Sequence, residues 1–156
     1  MLVNIFGQNG IMYMNNTLIK ENTNIGFDLE NAIKCVESYS SSTKVQCMII
    51  GIDGEVLHIT SFNNKACEFC DKVRDILGNR QSCSKSHLYG SYQAERFGGK
   101  YIFFCPMGLT HWTSPIMENG TMKGAVLGGP VQMMEPDEFL IEELIRKHGI
   151  DGKYLD

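Results

Sequence analysis

The first clear hydrophobic pattern in the chain is helical. Leu29, Ile33 and Val36 recur three or four positions apart, directly after Asp28. Aspartate is a favoured helix N-cap because its carboxylate accepts a hydrogen bond from a free backbone N–H. The pattern therefore predicts a short amphipathic helix that begins after Asp28 and ends at the serines of residues 40–42.

Two β-branched runs follow, at residues 45–52 and 55–60, and the dipeptide Asp53-Gly54 separates them. Asp-Gly supplies the positive backbone angles that a tight turn between antiparallel strands requires. The sequence therefore predicts a β-hairpin here.

The second half of the chain alternates between the two kinds of pattern. Residues 64–98 lack strand alternation and predict two helices, the second over residues 82–97. Three strands are then predicted, over residues 101–105, 109–117 and 121–127. Pro136 marks the start of a last helix, which has basic residues in its final turn and Gly149 as its C-cap.

This succession of elements predicts an α+β fold, with an antiparallel sheet of about five strands and helices packed on one side, in a single PAS-like domain. We assign residues 28–134 to that domain. The Asn- and Gly-rich residues 1–27 are interpreted as a poorly defined N-terminal arm, and residues 135–156 as a C-terminal helix and a linker to an output module.

Composition narrows the class of protein. The 156 residues are 43% hydrophobic, which is enough for one core, and the net charge of −4 comes without a cluster of basic residues. We therefore expect no direct contact with nucleic acid. The sequence shows neither a signal peptide nor an apolar stretch long enough to span a membrane, which predicts a cytoplasmic protein. In that reducing compartment, closely spaced cysteines indicate metal binding or redox chemistry.

Four of the six cysteines have spacings that are compatible with a shared metal site. Cys67 and Cys70 form a C-x2-C pair, Cys83 and His87 are four residues apart on a predicted helix, and Cys105 ends a predicted strand. Residues three or four apart on a helix share one face, so these segments together could present four sulfurs and an imidazole. Soft thiolate ligands suit a zinc ion or, alternatively, an iron–sulfur cluster.

Other interpretations of these residues stay open. The four cysteines could instead be redox thiols or plain core residues. His87 could be a fifth ligand, a hydrogen-bond donor to a thiolate, or part of a ligand pocket. Cys35 and Cys47 are each explained by packing, because one follows an apolar helical pattern and the other lies within an apolar strand.

A ligand pocket is predicted beside the cysteine centre, on the strands and helix nearest to it. Its candidate residues, besides His87, are Tyr92, Phe103, His111 and Trp112. His111 and Trp112 are adjacent in a strand, so only one of them can point inward from the sheet. His58 alternates with apolar neighbours and is interpreted as a surface or cross-strand residue.

The motifs resemble those of the PocR-type sensory domain, a PAS-like variant, over roughly residues 28–132. The resemblance rests on Cys67-x2-Cys70, Cys83-x3-His87, Cys105-Pro106-x-Gly108-Leu109, Pro115-Ile116 and a glycine-rich strand end at residues 124–132. It implies that the family's cysteine pattern falls on the four cysteines above and its histidine on His87. It also implies a sensor of small diols or simple hydrocarbon derivatives, with 1,2-propanediol as the type ligand, which precedes an AraC-type or kinase output module.

Three function classes are therefore compared. A small-molecule sensor, which is not an enzyme, is the leading interpretation, and pairing of two copies through the apolar stripe of the last helix is compatible with it. A C-x-x-C oxidoreductase is the main rival, but the pair lies outside any βαβ pattern. A structural zinc module is the third, although such modules are usually smaller. Within the 156 residues we find no helix-turn-helix pair or kinase signature that would supply the output.

Overall fold

The structure is a computed structural model, and it describes residues 11–14, 17–20, 25–62, 68–72, 75, 81–133, 142–143, 146–147 and 149. Its helices are α1 (Leu29–Thr43) and α2 (Gln81–Arg96). Its strands are β1 (Ile11–Met14), β2 (Thr17–Lys20), β3 (Cys47–Gly51), β4 (Val56–Ile59), β5 (Tyr101–Phe104), β6 (Thr110–Glu118) and β7 (Thr121–Val131).

The main sheet has five antiparallel strands in the order β4-β3-β7-β6-β5. The predicted hairpin is confirmed as β3 and β4, and Gly54 takes a positive φ of 80° in its turn. The long β6–β7 hairpin lies between the other strands, and its turn at residues 119–120 also has positive φ angles. The α+β class and the PAS-like antiparallel sheet are confirmed.

Side chains alternate between two layers along the sheet. Met48 and Ile50 pack with Phe103 in one cluster, and α2 lies against β5 and β6 on this face. Cys47 and Ile49 point the other way and pack with Val36 of α1. The helix that carries the predicted site residues therefore packs on one face of the sheet, and α1 adds a second layer over β3 and its neighbours.

The predicted first helix is confirmed at its start and extends three residues beyond its predicted end. The Asp28 carboxylate accepts a hydrogen bond from Asn31 N at 3.0 Å, as an N-cap does. The helix continues through the serines to Thr43, because Ser42 and Thr43 donate side-chain hydrogen bonds to the carbonyls four residues earlier. It ends where Lys44 takes the left-handed conformation, with φ of 59°.

Three other parts of the structure differ from the predicted elements or add detail to them. The arm contains an antiparallel hairpin of β1 and β2, and β2 contacts β4. β7 runs to Val131, four residues beyond its predicted end. Residues 68–72, 75, 142–143 and 146–147 are helical, within the two other predicted helices, whose remaining residues lie outside those described. Among the described helices, none combines the length and the apolar character that a bilayer crossing would require.

Candidate ligand and thiol site

The candidate site lies where one face of α2 meets β5 and β6. Cys83, His87 and Ser91 are spaced four residues apart on α2 and therefore share a face. Cys83 is close enough to Cys105 for its charge to act on that thiol, His87 meets His111, and Ser91 meets Thr113. Thiols, imidazoles and hydroxyls thus follow one another along a single interface.

Three aromatic rings form the middle of this interface. The His87 and His111 rings lie 5.1 Å apart between centroids, with their planes tilted by 59°. Phe103 stacks on His111 at 5.5 Å and meets His87 edge-on at 6.4 Å. Phe103 and His111 are paired across β5 and β6, which fixes their stacking. The two histidines come from a helix and a strand, so tertiary packing brings them together.

A glycine makes the close approach of α2 possible. A Cβ built on Gly90 would lie 2.5 Å from the Phe103 ring, well inside van der Waals contact. Any larger residue would separate α2 from β5 or displace Phe103. The next residue, the buried Ser91, donates to His87 O at 2.8 Å and lies 3.2 Å from Thr113 Oγ1. These polar contacts hold α2 in register with β6.

His111 carries an unused hydrogen-bonding position. Its side chain is buried, and its Nδ1 has no hydrogen-bond partner among the residues that the structure describes. Burial, and secondarily the charge of His87, lowers the pKa of His111 to about 3, so the ring is neutral at physiological pH. A Cβ on Gly129 would lie 3.0 Å from this Nδ1, so glycine lets the backbone of β7 pass close to the His111 ring. A buried polar atom without a partner is uncommon and suggests a bound molecule.

The thiol end of the site surrounds the turn that follows β5. Cys105 is buried with Met107 and Leu109, and Cys70 packs against this cluster. Burial raises the pKa of the Cys105 thiol, and the charge of Cys83 raises it further. The structure therefore brings three of the four predicted cysteines to one region. Cys67 lies outside the described residues.

The donor chemistry of this region suits a soft cation. The buried Cys105 thiol resists ionisation unless a positive charge accompanies it, and thiolates are the preferred ligands of zinc. In the part of the chain that the structure describes, no three Cys, His, Asp or Glu side chains form a group that could hold a metal ion. The predicted set of metal ligands includes Cys67, which lies outside the described residues, so the described residues supply only part of that set.

Tyr92 and Trp112 lie away from the three rings. Tyr92 is on α2, but its side chain is 45% exposed. Trp112 points to the opposite face of the sheet from His111, where its indole lies over Gly128. The alternation of a strand separates the two neighbours, as predicted, and His111 is the one that faces α2.

Some residues of the interface were not predicted from the sequence. Ser91, Thr113 and Gly90 shape the contact between α2 and the sheet. The spacing of four residues from His87 would have indicated Ser91, and a glycine within a helical pattern would have indicated a close contact at Gly90.

Three predictions about the remaining cysteines and His58 have different outcomes. Cys47 is fully buried in the core, as predicted. Cys35 is exposed on α1, so its assignment to packing is wrong, because it lies off the apolar face that Val36 occupies. His58 pairs with Ile49 across the hairpin, but it is buried, and its Nε2 lies 2.7 Å from Glu37 Oε1. Of the two predicted alternatives, the cross-strand position is confirmed and the surface position is not, because α1 covers that part of the sheet.

A five-stranded antiparallel sheet with a helix that carries polar and thiol groups toward it is an α+β architecture of the PAS-like class. The model of one family, described as a sensory domain found in PocR, matches residues 26–156. The chain therefore belongs to the PocR sensory domain family, and its role is small-molecule sensing in signalling. No curated protein and no solved structure matches the chain.

Proposed function

We propose that the domain binds a small neutral hydroxyl compound, a diol of the 1,2-propanediol type or a related hydrocarbon derivative, between α2 and strands β5 and β6. The observation that carries the proposal is the buried His111 Nδ1, which lies beside His87 and Phe103 and has no partner within the described part of the chain. A hydroxyl can donate to a ring nitrogen or accept from it, and filling that position removes a cost of about 1–3 kcal/mol. The Phe103 ring offers an apolar wall to the hydrocarbon part.

We further propose that Cys67, Cys70, Cys83 and Cys105 hold a zinc ion, with an iron–sulfur cluster as the alternative and His87 as an additional candidate ligand. The packing of Cys70 against Cys105 and the charge of Cys83 at Cys105 support this set. A bound cation would neutralise the thiolates. These residues would then tie the turn after β5 to α2, directly beside the histidine pair.

A thiol redox sensor or a C-x-x-C oxidoreductase is the second candidate. The electrostatic effect of Cys83 on the Cys105 thiol supports it, because two thiols that come together can form a disulfide. The raised pKa of Cys105 counts against it, since a reactive cysteine needs a thiolate that forms readily. The family is sensory and not catalytic, which fits a protein that is not an enzyme.

Calorimetry on metal-loaded protein tests the ligand proposal, with 1,2-propanediol, 1,3-propanediol and glycerol as ligands. So few heavy atoms limit affinity, and we expect dissociation constants from about micromolar to millimolar. His111→Phe should weaken binding by about 10-fold or more, because it removes the ring nitrogen. Tyr92→Phe is the matched control, since Tyr92 lies in the exposed part of α2. Absence of binding by all three compounds at saturating concentration would contradict the diol proposal.

Anaerobic elemental analysis with a visible absorption spectrum tests the thiol proposal. Zinc in near-equal ratio to protein and no visible absorption would support a zinc site. Iron with sulfide and a charge-transfer absorption would support the alternative. Metal-free protein whose conformation responds to oxidant would instead support the redox sensor.

A further inference from the structure

The two edge strands of the main sheet differ in how their outer edges are protected. β4 forms one edge, where its pairing with β3 has a register shift beside Ile50 and β2 contacts it. β5 forms the other edge and pairs with β6 without a register shift. Bulges and covering elements are common means by which proteins keep edge strands from pairing with other chains. In the described part of the chain, β5 has neither a bulge nor a strand beside its outer edge.

The side chains of β5 also favour pairing with another strand. Its four positions include no charged residue and no proline, which are the residues that usually disrupt such pairing. Ile102 is 66% exposed and Phe104 is 69% exposed. Both point away from α2, because Phe103 between them faces it. Exposed apolar side chains next to each other on an edge strand indicate an interaction surface.

The hydrogen bonds of β5 show which backbone groups point to its outer edge. Cys105 N–H donates to Leu109 O at 2.8 Å, toward the β6 side. Backbone groups alternate in direction along a strand, so those of Phe103 also face β6. The N–H and C=O groups of Ile102 and Phe104 therefore point to the outer edge of the sheet.

A second copy of β5 complements this edge. Antiparallel pairing centred on Phe103 sets Ile102 opposite Phe104 of the partner subunit, and a twofold axis repeats the contact. Both members of each pair point their backbone groups outward, so they can exchange two hydrogen bonds. Each pair also joins an aliphatic to an aromatic side chain, which is a favourable cross-strand combination. Lys100, three residues before the centre, falls opposite Pro106 of the partner subunit and not opposite its own copy.

We propose that β5 forms the interface of a homodimer, in which the two sheets join edge to edge through antiparallel β5 strands. The observation that favours a second copy is this self-complementarity, because one patch on both subunits satisfies a twofold interface. Trp112 pairs with Ile102 across β5 and β6, so it extends the apolar row on the same face. One short strand pair makes a small interface, and the dimer should therefore dissociate reversibly on dilution.

The position of α2 leaves room for this arrangement. α2 contacts β6 and β7 as well as β5, so it lies inward from the outer edge. With strands about 4.8 Å apart, the two β6 strands would be about 14 Å apart across the twofold axis. Packed helices need only about 8–10 Å between their axes. A helix above each β6 strand therefore does not prevent the two β5 strands from meeting.

Sedimentation equilibrium of the full chain provides the first test, under reducing conditions so that no disulfide contributes. The mass should rise from monomer to dimer with protein concentration. Phe104→Lys should raise the dissociation constant at least about 10-fold, because a lysine on an edge strand opposes pairing. Val56→Lys is the matched control, since Val56 is an exposed apolar residue of the other edge strand. It should leave the dissociation constant unchanged.

Proline distinguishes edge pairing from contact between apolar faces. Ile102→Pro removes an N–H that points away from β6, which an edge strand tolerates, and keeps an apolar side chain. Each dimer would lose two hydrogen bonds, so the dissociation constant should rise at least about 10-fold. Far-UV circular dichroism verifies the fold. A dimer that survives Ile102→Pro but not Phe104→Lys would be held by its apolar faces, which would overturn the proposal.

Hydrogen exchange of single amides tests the wild type without any substitution. The amides of Ile102 and Phe104 should exchange at least about 10-fold more slowly in concentrated than in dilute protein. The Phe103 amide faces β6 and is the internal control, with equal protection at both concentrations. A chain that stays monomeric, or a dimer in which Ile102 and Phe104 are unprotected, would contradict the pairing. Protection of these two amides in the monomer would also contradict it and would indicate that another segment of the same chain covers the edge.

Discussion

His111 and Trp112 are consecutive residues of β6 whose side chains lie on opposite faces of the sheet. The His111 ring meets His87 of α2 at 5.1 Å, and the Trp112 indole lies against Gly128, where a Cβ would be only 2.3 Å from it. One strand thus contributes to the candidate ligand site on one face of the sheet and to the packing around Gly128 on the other. Substitutions at the two positions should have separable effects.

Gly90→Ala should destabilise the protein, although the same change normally stabilises a helix by about 1 kcal/mol. The added methyl would lie 2.5 Å from the buried Phe103 ring, and overpacking of this kind costs about 1–3 kcal/mol. Urea unfolding measures the change. Ser82→Ala, at an exposed position of the same helix, is the control and should be neutral or slightly stabilising. A gain of stability in Gly90→Ala would contradict the close contact.

Metal content should distinguish two groups of cysteines. We expect Cys83→Ser and Cys105→Ser to reduce bound metal in anaerobically prepared protein, because a serine hydroxyl is a poor replacement for a thiolate ligand. Cys35→Ser and Cys47→Ser should leave it unchanged, since one residue is exposed on α1 and the other lies in the core on the α1 side. Loss of metal in a well-folded Cys47→Ser protein would show that the cysteines are wrongly divided.

Cys47 should make the protein less stable at alkaline pH. Burial, and secondarily the charge of Glu37, raises the pKa of its thiol from 9.0 to about 11. The unfolded chain therefore loses this proton at a lower pH than the folded protein does. The contribution to the free energy of unfolding is constant below about pH 9 and is lost progressively between about pH 9 and 11.

Unfolding experiments across that pH range check this expectation when the wild type is compared with Cys47→Ala. Other thiols, lysines and tyrosines titrate in both proteins, so the difference between them isolates Cys47. The wild type should lose more stability than the variant above about pH 9. Parallel curves for the two proteins would contradict the raised pKa.

Glu37→Ala should destabilise the packing of α1 on β4. His58 Nε2 lies 2.7 Å from Glu37 Oε1, and the imidazole is buried, with no partner for its Nδ1 in the described ranges of the chain. Removing the carboxylate leaves the ring without this partner, which should cost about 1–2 kcal/mol in chemical unfolding. The exposed pair of Lys34 and Glu30 provides the control, and Glu30→Ala should have little effect. Equal losses in both variants would contradict this account.

Much of the fold follows from local sequence patterns. Asp28 as an N-cap, Asp53-Gly54 as a hairpin turn and the spacing of the apolar residues locate α1, β3 and β4 within a few residues. The end of α1 was missed because serine is usually unfavourable within a helix, whereas Ser42 here bonds back to the carbonyl of Ser38. This hydrogen bond forms only when the residues between Ser38 and Ser42 are already helical, so the sequence alone does not reveal it.

The candidate site was only partly accessible from the sequence. Spacing indicated that Cys83 and His87 share one face of α2, and strand alternation indicated that His111 and Trp112 separate. Neither pattern specifies which face of β6 receives α2. Trp112 was therefore grouped with the ligand residues, although it lies on the other side of the sheet.

The sequence by itself determined the elements, the family and the residues with functional chemistry, because those depend on interactions between neighbours along the chain. The tertiary structure decided which of these residues meet. His87 and His111 are 24 positions apart and are brought together only because Gly90 lets α2 approach Phe103. Cys35 and Cys47 differ in exposure for the same reason, since burial depends on which side chains oppose each face and not on the residue's own polarity.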